Sequence, residues 1–90
     1  MKKDDAMKVL GALPVGNYAV DLFYKYEWQH VFDRSTELFE STGFGDVCFL
    51  NDWDEGQEDV CIERIIDIDL AMKREPFEVS INDLIKKAGV

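Results

Sequence analysis

The sequence predicts a small α+β domain: an antiparallel β-meander of about four strands, with a short N-terminal helix and a C-terminal helix. Three observations lead there. Residues 18–32 and 60–70 alternate apolar and polar side chains with the period of a strand. Clusters of Pro, Gly and Asn at 13–17, and of Thr, Gly and Asp at 42–46, mark turns between extended segments. The last eleven residues carry helix-start, helix-stop and amphipathic signals together. Ninety residues suit one domain, 1–90.

Residues 4–12, DDAMKVLGA, predict the first helix. Asp4 or Asp5 can cap it, and Ala6, Val9, Leu10 and Leu13 recur at helical spacing. From Tyr18 to Phe32 the even positions are apolar or aromatic and include Trp28 and His30, while the odd positions are mostly polar. A helix would scatter those aromatics around its circumference. Fifteen residues exceed a typical strand, so a turn or bulge is expected near Lys25–Glu27. Residues 33–42 read as a helix begun by Asp33 or Ser35, or as a strand anchored by Leu38 and Phe39; the flanking strands favour the second. VCFL at 47–50 is a short strand.

VCIERIIDIDL (60–70) then places Val60, Ile62, Arg64, Ile66, Ile68 and Leu70 on one face. Cys61, Glu63, Ile65, Asp67 and Asp69 fall on the other. Arg64 interrupts the apolar face, so its stem is expected across the core with its head paired to a nearby acid. MKREP (72–76) ends the alternation. In SINDLIKKAGV (80–90), Ser80 and Asp83 form the start. Ile81, Leu84, Ile85 and Ala88 form the stripe, Lys86 and Lys87 suit the dipole, and Gly89 follows the end.

Charge is distributed unevenly. The net charge is −9, but residues 51–69 alone hold eight acids and one base, Arg64. Such a chain is not expected to bind nucleic acid directly or to sit on an anionic membrane, since both need basic surface. No apolar run approaches the roughly 18 residues of a membrane span, and no secretory core follows MKKDDAMKVL, so a cytoplasmic setting is expected. Cys48 and Cys61 are expected as reduced, partly buried thiols.

The densest acidic stretch is NDWDEGQEDVC (51–61). Read as a calcium loop with Gly56 at its sixth position, it puts Trp53 at the third and Ile62 at the twelfth, where oxygen ligands are required. That leaves at most an irregular, weak calcium site. Folded about Asp54–Glu55, it becomes a hairpin tip. Val47 then faces Ile62, Phe49 faces Val60, and Cys48 faces Cys61, with both apolar faces coinciding. Trp53 folds back on the core or serves as a binding anchor.

No catalytic constellation accompanies these features. His30 is the lone histidine, on the aromatic face, and there is no nucleophile elbow, P-loop or dinucleotide fingerprint. The sequence therefore points away from an enzyme, a cofactor and a metal centre. It points to a protein-interaction domain whose acids Asp52, Asp54, Glu55, Glu58, Asp59, Glu63, Asp67 and Asp69, with Trp53, meet a basic protein surface. An alternative is a nucleic-acid mimic, with Glu63, Asp67 and Asp69 spaced like a row of phosphates. The oligomeric state is left open.

The phrase NDWDEGQEDV, followed by IIDIDL, resembles a stretch in small uncharacterised bacterial and prophage-encoded acidic proteins. The resemblance covers the C-terminal half through Leu70. It implies an accessory product of a bacterium or its phage and no particular activity.

Overall fold

The computed structural model describes residues 1–26, 31–45 and 57–90. Along the chain these form α1 (Lys3–Gly11), β1 (Gly16–Tyr26), β2 (Val31–Ser41), β3 (Gln57–Asp67), α2 (Ile68–Met72) and α3 (Ile81–Ala88). The α+β class and the helices at both ends agree with the sequence. The sheet has three strands among the described residues, antiparallel and in the order β2-β1-β3. It is not a simple meander, because β3 lies beside β1 rather than beside β2. The strand expected at 47–50, with its pairing to 60–62, falls outside the described residues.

Period-two alternation in β1 sorts side chains onto two faces. Tyr18, Val20 and Leu22 are buried. Their partners on β2 and β3 share that face: Phe39 and Asp67 flank Tyr18, Ile65 flanks Val20, and Ile62 flanks Leu22. Ala6, Val9 and Leu10 of α1, Leu13 beyond it, and Leu84 of α3 pack on this side. Each fully buried aliphatic side chain contributes about 1.5–3 kcal/mol.

β2 is a strand over 31–41, and of its two expected anchors only Phe39 is buried. Leu38 is 77% exposed because it pairs with Ala19 on the opposite face. Phe32, expected on the core face, is exposed as well. The chain reverses between β1 and β2, which brings Phe32 opposite Lys25, an odd position.

The largest correction concerns β3. Asp21 pairs with Arg64 but Leu22 pairs with Ile62, leaving Glu63 as an extra residue. This β-bulge shifts the alternation by one. Val60 and Ile62 point inward before it, and Ile65 points inward after it. Arg64, expected inward, therefore lies on the exposed face, while Ile65, expected among the acids, is core. A second shift lies between Lys25 and Tyr26, where a turn or bulge was expected. β3 also ends sooner than its alternation suggests. Asp67 caps α2, its Oδ1 accepting from the Leu70 N–H at 3.1 Å, so Ile68, Asp69 and Leu70 are helical.

Among the described residues, the outer edge of β3 is covered at both ends. Val60 N–H donates to the Met1 carbonyl at 2.8 Å, and the Met1 amino group donates to Val60 O at 2.9 Å. Farther along, Asp67 N–H donates to Phe77 O and Val79 N–H to Ile65 O, around an antiparallel bridge of Ile66 with Glu78. These contacts satisfy backbone groups that an edge strand leaves open.

The helix ends follow local chemistry. Ser80 Oγ accepts from Asp83 N–H at 3.3 Å, and Gly89 adopts the left-handed conformation, φ 74°. α1 differs from expectation: Lys2 is its N-cap, without a side-chain bond, and Asp4 and Asp5 sit in its first turn. There they favour the positive end of the dipole. Gly11 packs against Gly45, where an added Cβ would come within 3.1 Å of backbone. Among the described residues no helix is long and apolar enough to cross a membrane.

Two stability measurements check this arrangement. Leu22→Ala should cost about 2–5 kcal/mol in urea unfolding, whereas Leu38→Ala should stay within about 0.5 kcal/mol. Deleting Glu63 removes the bulge and leaves Val60, Ile62 and Ile65 facing inward. That deletion should retain a cooperative thermal transition, while deletion of Cys61, which displaces Val60 from the core face, should abolish it.

Candidate functional site

The residues marked by sequence for a partner surface divide among different environments. Asp52, Trp53, Asp54 and Glu55 lie outside the described residues, and for Glu58 only the backbone position in β3 is described. Asp59 is exposed opposite Lys25. Glu63 reaches over the exposed face, where Arg34 Nε donates to its Oε1 at 3.0 Å. Asp67 pairs with Tyr18 on the helix-covered face and caps α2. Asp69 in α2 accepts from Asn17 Nδ2 at 3.4 Å.

The expected row of Glu63, Asp67 and Asp69 is therefore not formed along one strand face. The bulge places Glu63 on the exposed side and Asp67 on the other, and the helix start removes Asp69 from the strand. Asp67 and Asp69 act electrostatically on Tyr18 instead. Its hydroxyl donates to Pro14 O at 2.9 Å. Burial raises the phenol pKa, and the negative charges of Asp67 and then Asp69 raise it further.

A different set of residues gathers on the exposed sheet face. Phe23 and Phe32 stack with centroids 5.3 Å apart and planes 3° from parallel. The Arg34 guanidinium lies over Phe23, 4.8 Å from its centroid. Thr36 Oγ1 donates to Asp21 Oδ1 at 2.6 Å. Arg64 Nε lies 3.3 Å from Glu78 Oε1, with its guanidinium 5.9 Å from the centre of Phe77. Arg64 thus has the acidic partner expected for it, but its side chain is 43% exposed rather than laid across the core. Cys61, expected to be partly buried, is exposed opposite Phe23. Cys48 falls outside the described residues, as does His30.

Reading the strands one at a time hides this face. Arg34, Thr36 and Leu38 fall on it only once β2 is paired with β1 in the observed register. The odd positions of β1 were legible as a polar face; the partners assembled around them were not.

A groove of about 520 Å³ runs across this face between Arg34, Thr36, Asp21, Glu63 and Arg64. Its size matches small-ligand sites, but those are mostly apolar and enclosed. Here the lining is charged and polar: Glu63 pairs with Arg34, Asp21 accepts from the Thr36 hydroxyl, and Arg64 pairs with Glu78. The chemistry it offers is multipoint polar contact beside aromatic surface. Among the described residues no three His, Cys, Asp or Glu side chains gather to hold a metal ion.

No protein-family model, curated protein or solved structure matches this chain.

Tyr18 gives a pH signature. A folded-state pKa above the unfolded value of about 10 favours folding while the phenol is neutral. That contribution is complete below the unfolded pKa and is lost as pH rises through the folded one. Tyr18→Phe should cost about 1 kcal/mol at neutral pH through the lost hydrogen bond. It should also flatten the decline in stability above about pH 10, as measured by urea unfolding at several pH values.

Proposed function

We propose that this chain is a non-enzymatic protein-interaction domain that meets a basic protein surface through its acidic segment. The reading rests on one observation. Residues 51–69 hold eight acids against a single base, and that base, Arg64, is paired with Glu78. Charge concentrated in this way steers association and selects partners of opposite sign more than it adds affinity. Asp59 and Glu63, both exposed on β3, continue the charge of Asp52, Asp54, Glu55 and Glu58 onto the sheet. Trp53 is the apolar anchor proposed within that segment.

The nucleic-acid-mimic version draws less support. Asp67 is engaged in capping α2 and Asp69 in holding Asn17, so a phosphate-like row would have to come from Asp52, Asp54, Glu55, Glu58, Asp59 and Glu63. A cytoplasmic accessory role in a bacterium or its phage is part of the proposal and rests on the resemblance of NDWDEGQEDV and IIDIDL to such proteins.

The test neutralises the segment with Asp52→Asn, Asp54→Asn, Glu55→Gln, Glu58→Gln and Asp59→Asn together. With an unchanged circular dichroism spectrum, the variant should lose the basic partners that wild type captures. With a captured partner, its association rate at low salt should fall about tenfold or more, and the difference should shrink as salt rises. Equal recovery and equal rates would remove the acidic segment from the function.

A further inference from the structure

We propose that the groove between α2 and the adjoining ends of β1 and β2 takes a basic side chain from a protein partner. The aliphatic stem of a lysine or arginine lies along Leu38 and Met72, and its cation sits between Glu40 and Asp69. This deepens the reading above and rests on it only for the kind of partner.

Register and one hydrogen bond build the groove. Leu38 and Glu40 are two apart on β2, so they share the face opposite the core, about 6.6 Å from each other. Glu40 pairs with Asn17 of β1, and Asn17 Nδ2 donates to Asp69 Oδ2 at 3.4 Å, tying α2 to this end of the sheet. On α2, Ile68 and Met72 are one turn apart and share a side. The groove between them measures about 440 Å³, within the range of small-ligand sites. Among the described residues it is built from β1, β2 and α2 alone.

Apolar exposure and charge together select the occupant. Leu38 is 77% exposed and Met72 79%, and both line this one groove. An occupant that withdraws them from water gains in proportion to the apolar area covered. Glu40 and Asp69 are the charged residues of the lining, and neither has an ion-pair partner. Tyr18, which also lines the groove, registers the negative field: after burial, the charges of Asp67 and Asp69 hold its phenol pKa up. In the groove across the sheet face, Arg34 and Arg64 answer Glu63 and Glu78 from within the chain. Here, among the described residues, no base does so.

An anion is repelled by this rim. A neutral apolar group covers the wall but displaces water from carboxylates that it cannot pair. A second copy brings its own net charge of −9. A basic side chain meets both requirements, because its methylene stem lies on apolar surface while its head stays at the polar edge. One such contact is weak. Exposed ion pairs add little, so the isolated group should bind with a dissociation constant on the order of 1–10 mM. Its effect on a partner already drawn in by charge is selectivity and register.

Three small probes test the groove directly: n-butylammonium for lysine, n-butylguanidinium for arginine, and uncharged n-butylurea. Each is titrated to about 50 mM in about 150 mM salt, with amide and methyl NMR shifts as the readout. At least one cation should give saturable shifts at Leu38, Glu40, Asp69 and Met72, and the tighter of the two names the residue. Butylurea should bind about threefold or more weakly. Glu40→Gln, at an unpaired surface carboxylate, should weaken the cation by a similar factor and leave butylurea unchanged, whereas Met72→Ser should weaken every probe that binds. The variant neutralised at Asp52, Asp54, Glu55, Glu58 and Asp59 should bind the cations as wild type does, so the groove and the acidic segment stand or fall separately. Loss of cation binding in that variant would place the cation elsewhere and overturn the proposal. Unsaturable shifts, equal affinity for butylurea, or indifference to Glu40→Gln would do the same. So would translational diffusion of a dimer that the cations dissociate, since the occupant would then be a second copy.

Discussion

Burial of one side of β1 is the constraint on which the rest depends. Tyr18, Val20 and Leu22 are each almost completely withdrawn from water, and they lie on the central strand. Everything that packs on them must present apolar surface at matching rows. β2 supplies Phe39, β3 supplies Ile62 and Ile65, and α1 and α3 close the layer from above. Because side chains alternate, fixing this face commits the odd residues of β1 to the other side. Asp21 and Phe23 then gather Arg34, Thr36 and Glu63 around them. Core and surface are two consequences of one strand's orientation.

The bulge at Glu63 reconciles this demand with the sequence of β3. Without it, Arg64 would enter the core and Ile65 would leave it. An unpaired buried guanidinium costs several kcal/mol, whereas an unpaired ladder position costs far less. The extra residue therefore resolves a conflict between alternation and burial. It also places an acid and a base side by side on the exposed face, where Glu63 engages Arg34 and Arg64 engages Glu78. Side chains this exposed gain under about 1 kcal/mol from each such pair. Their value lies more in arranging charge than in stability.

Charge is also concentrated in one part of the chain. Residues 51–69 hold most of the excess negative charge, and two of them, Glu63 and Arg64, are paired on the sheet face with Arg34 and Glu78. The β3 edge, closed by Met1 at one end and by the Phe77–Val79 segment at the other, keeps association away from strand addition there.

Local chemistry alone determined a good deal. The helix at 81–88 was legible from Ser80, Asp83, Gly89 and its stripe, because caps and periodicity are properties of neighbouring residues. The core face of β1 was legible for the same reason, whereas residues 33–42 read locally as helix or strand and only the flanking strands favoured the strand that β2 forms. Tertiary structure decided what depends on distant partners. Leu38 and Phe39 are equally apolar in sequence, and only pairing with Ala19 and Tyr18 sends one to water and the other inside. Arg64 and Ile65 exchanged their expected faces because a bulge answers to the core it must fit. Asp67 reads as another strand acid until Leu70 N–H turns back to it and the strand becomes a helix. Composition established that the chain is acidic. Which acids face solvent, which cap helices and which lie beside arginine was settled by register, which no single segment contains.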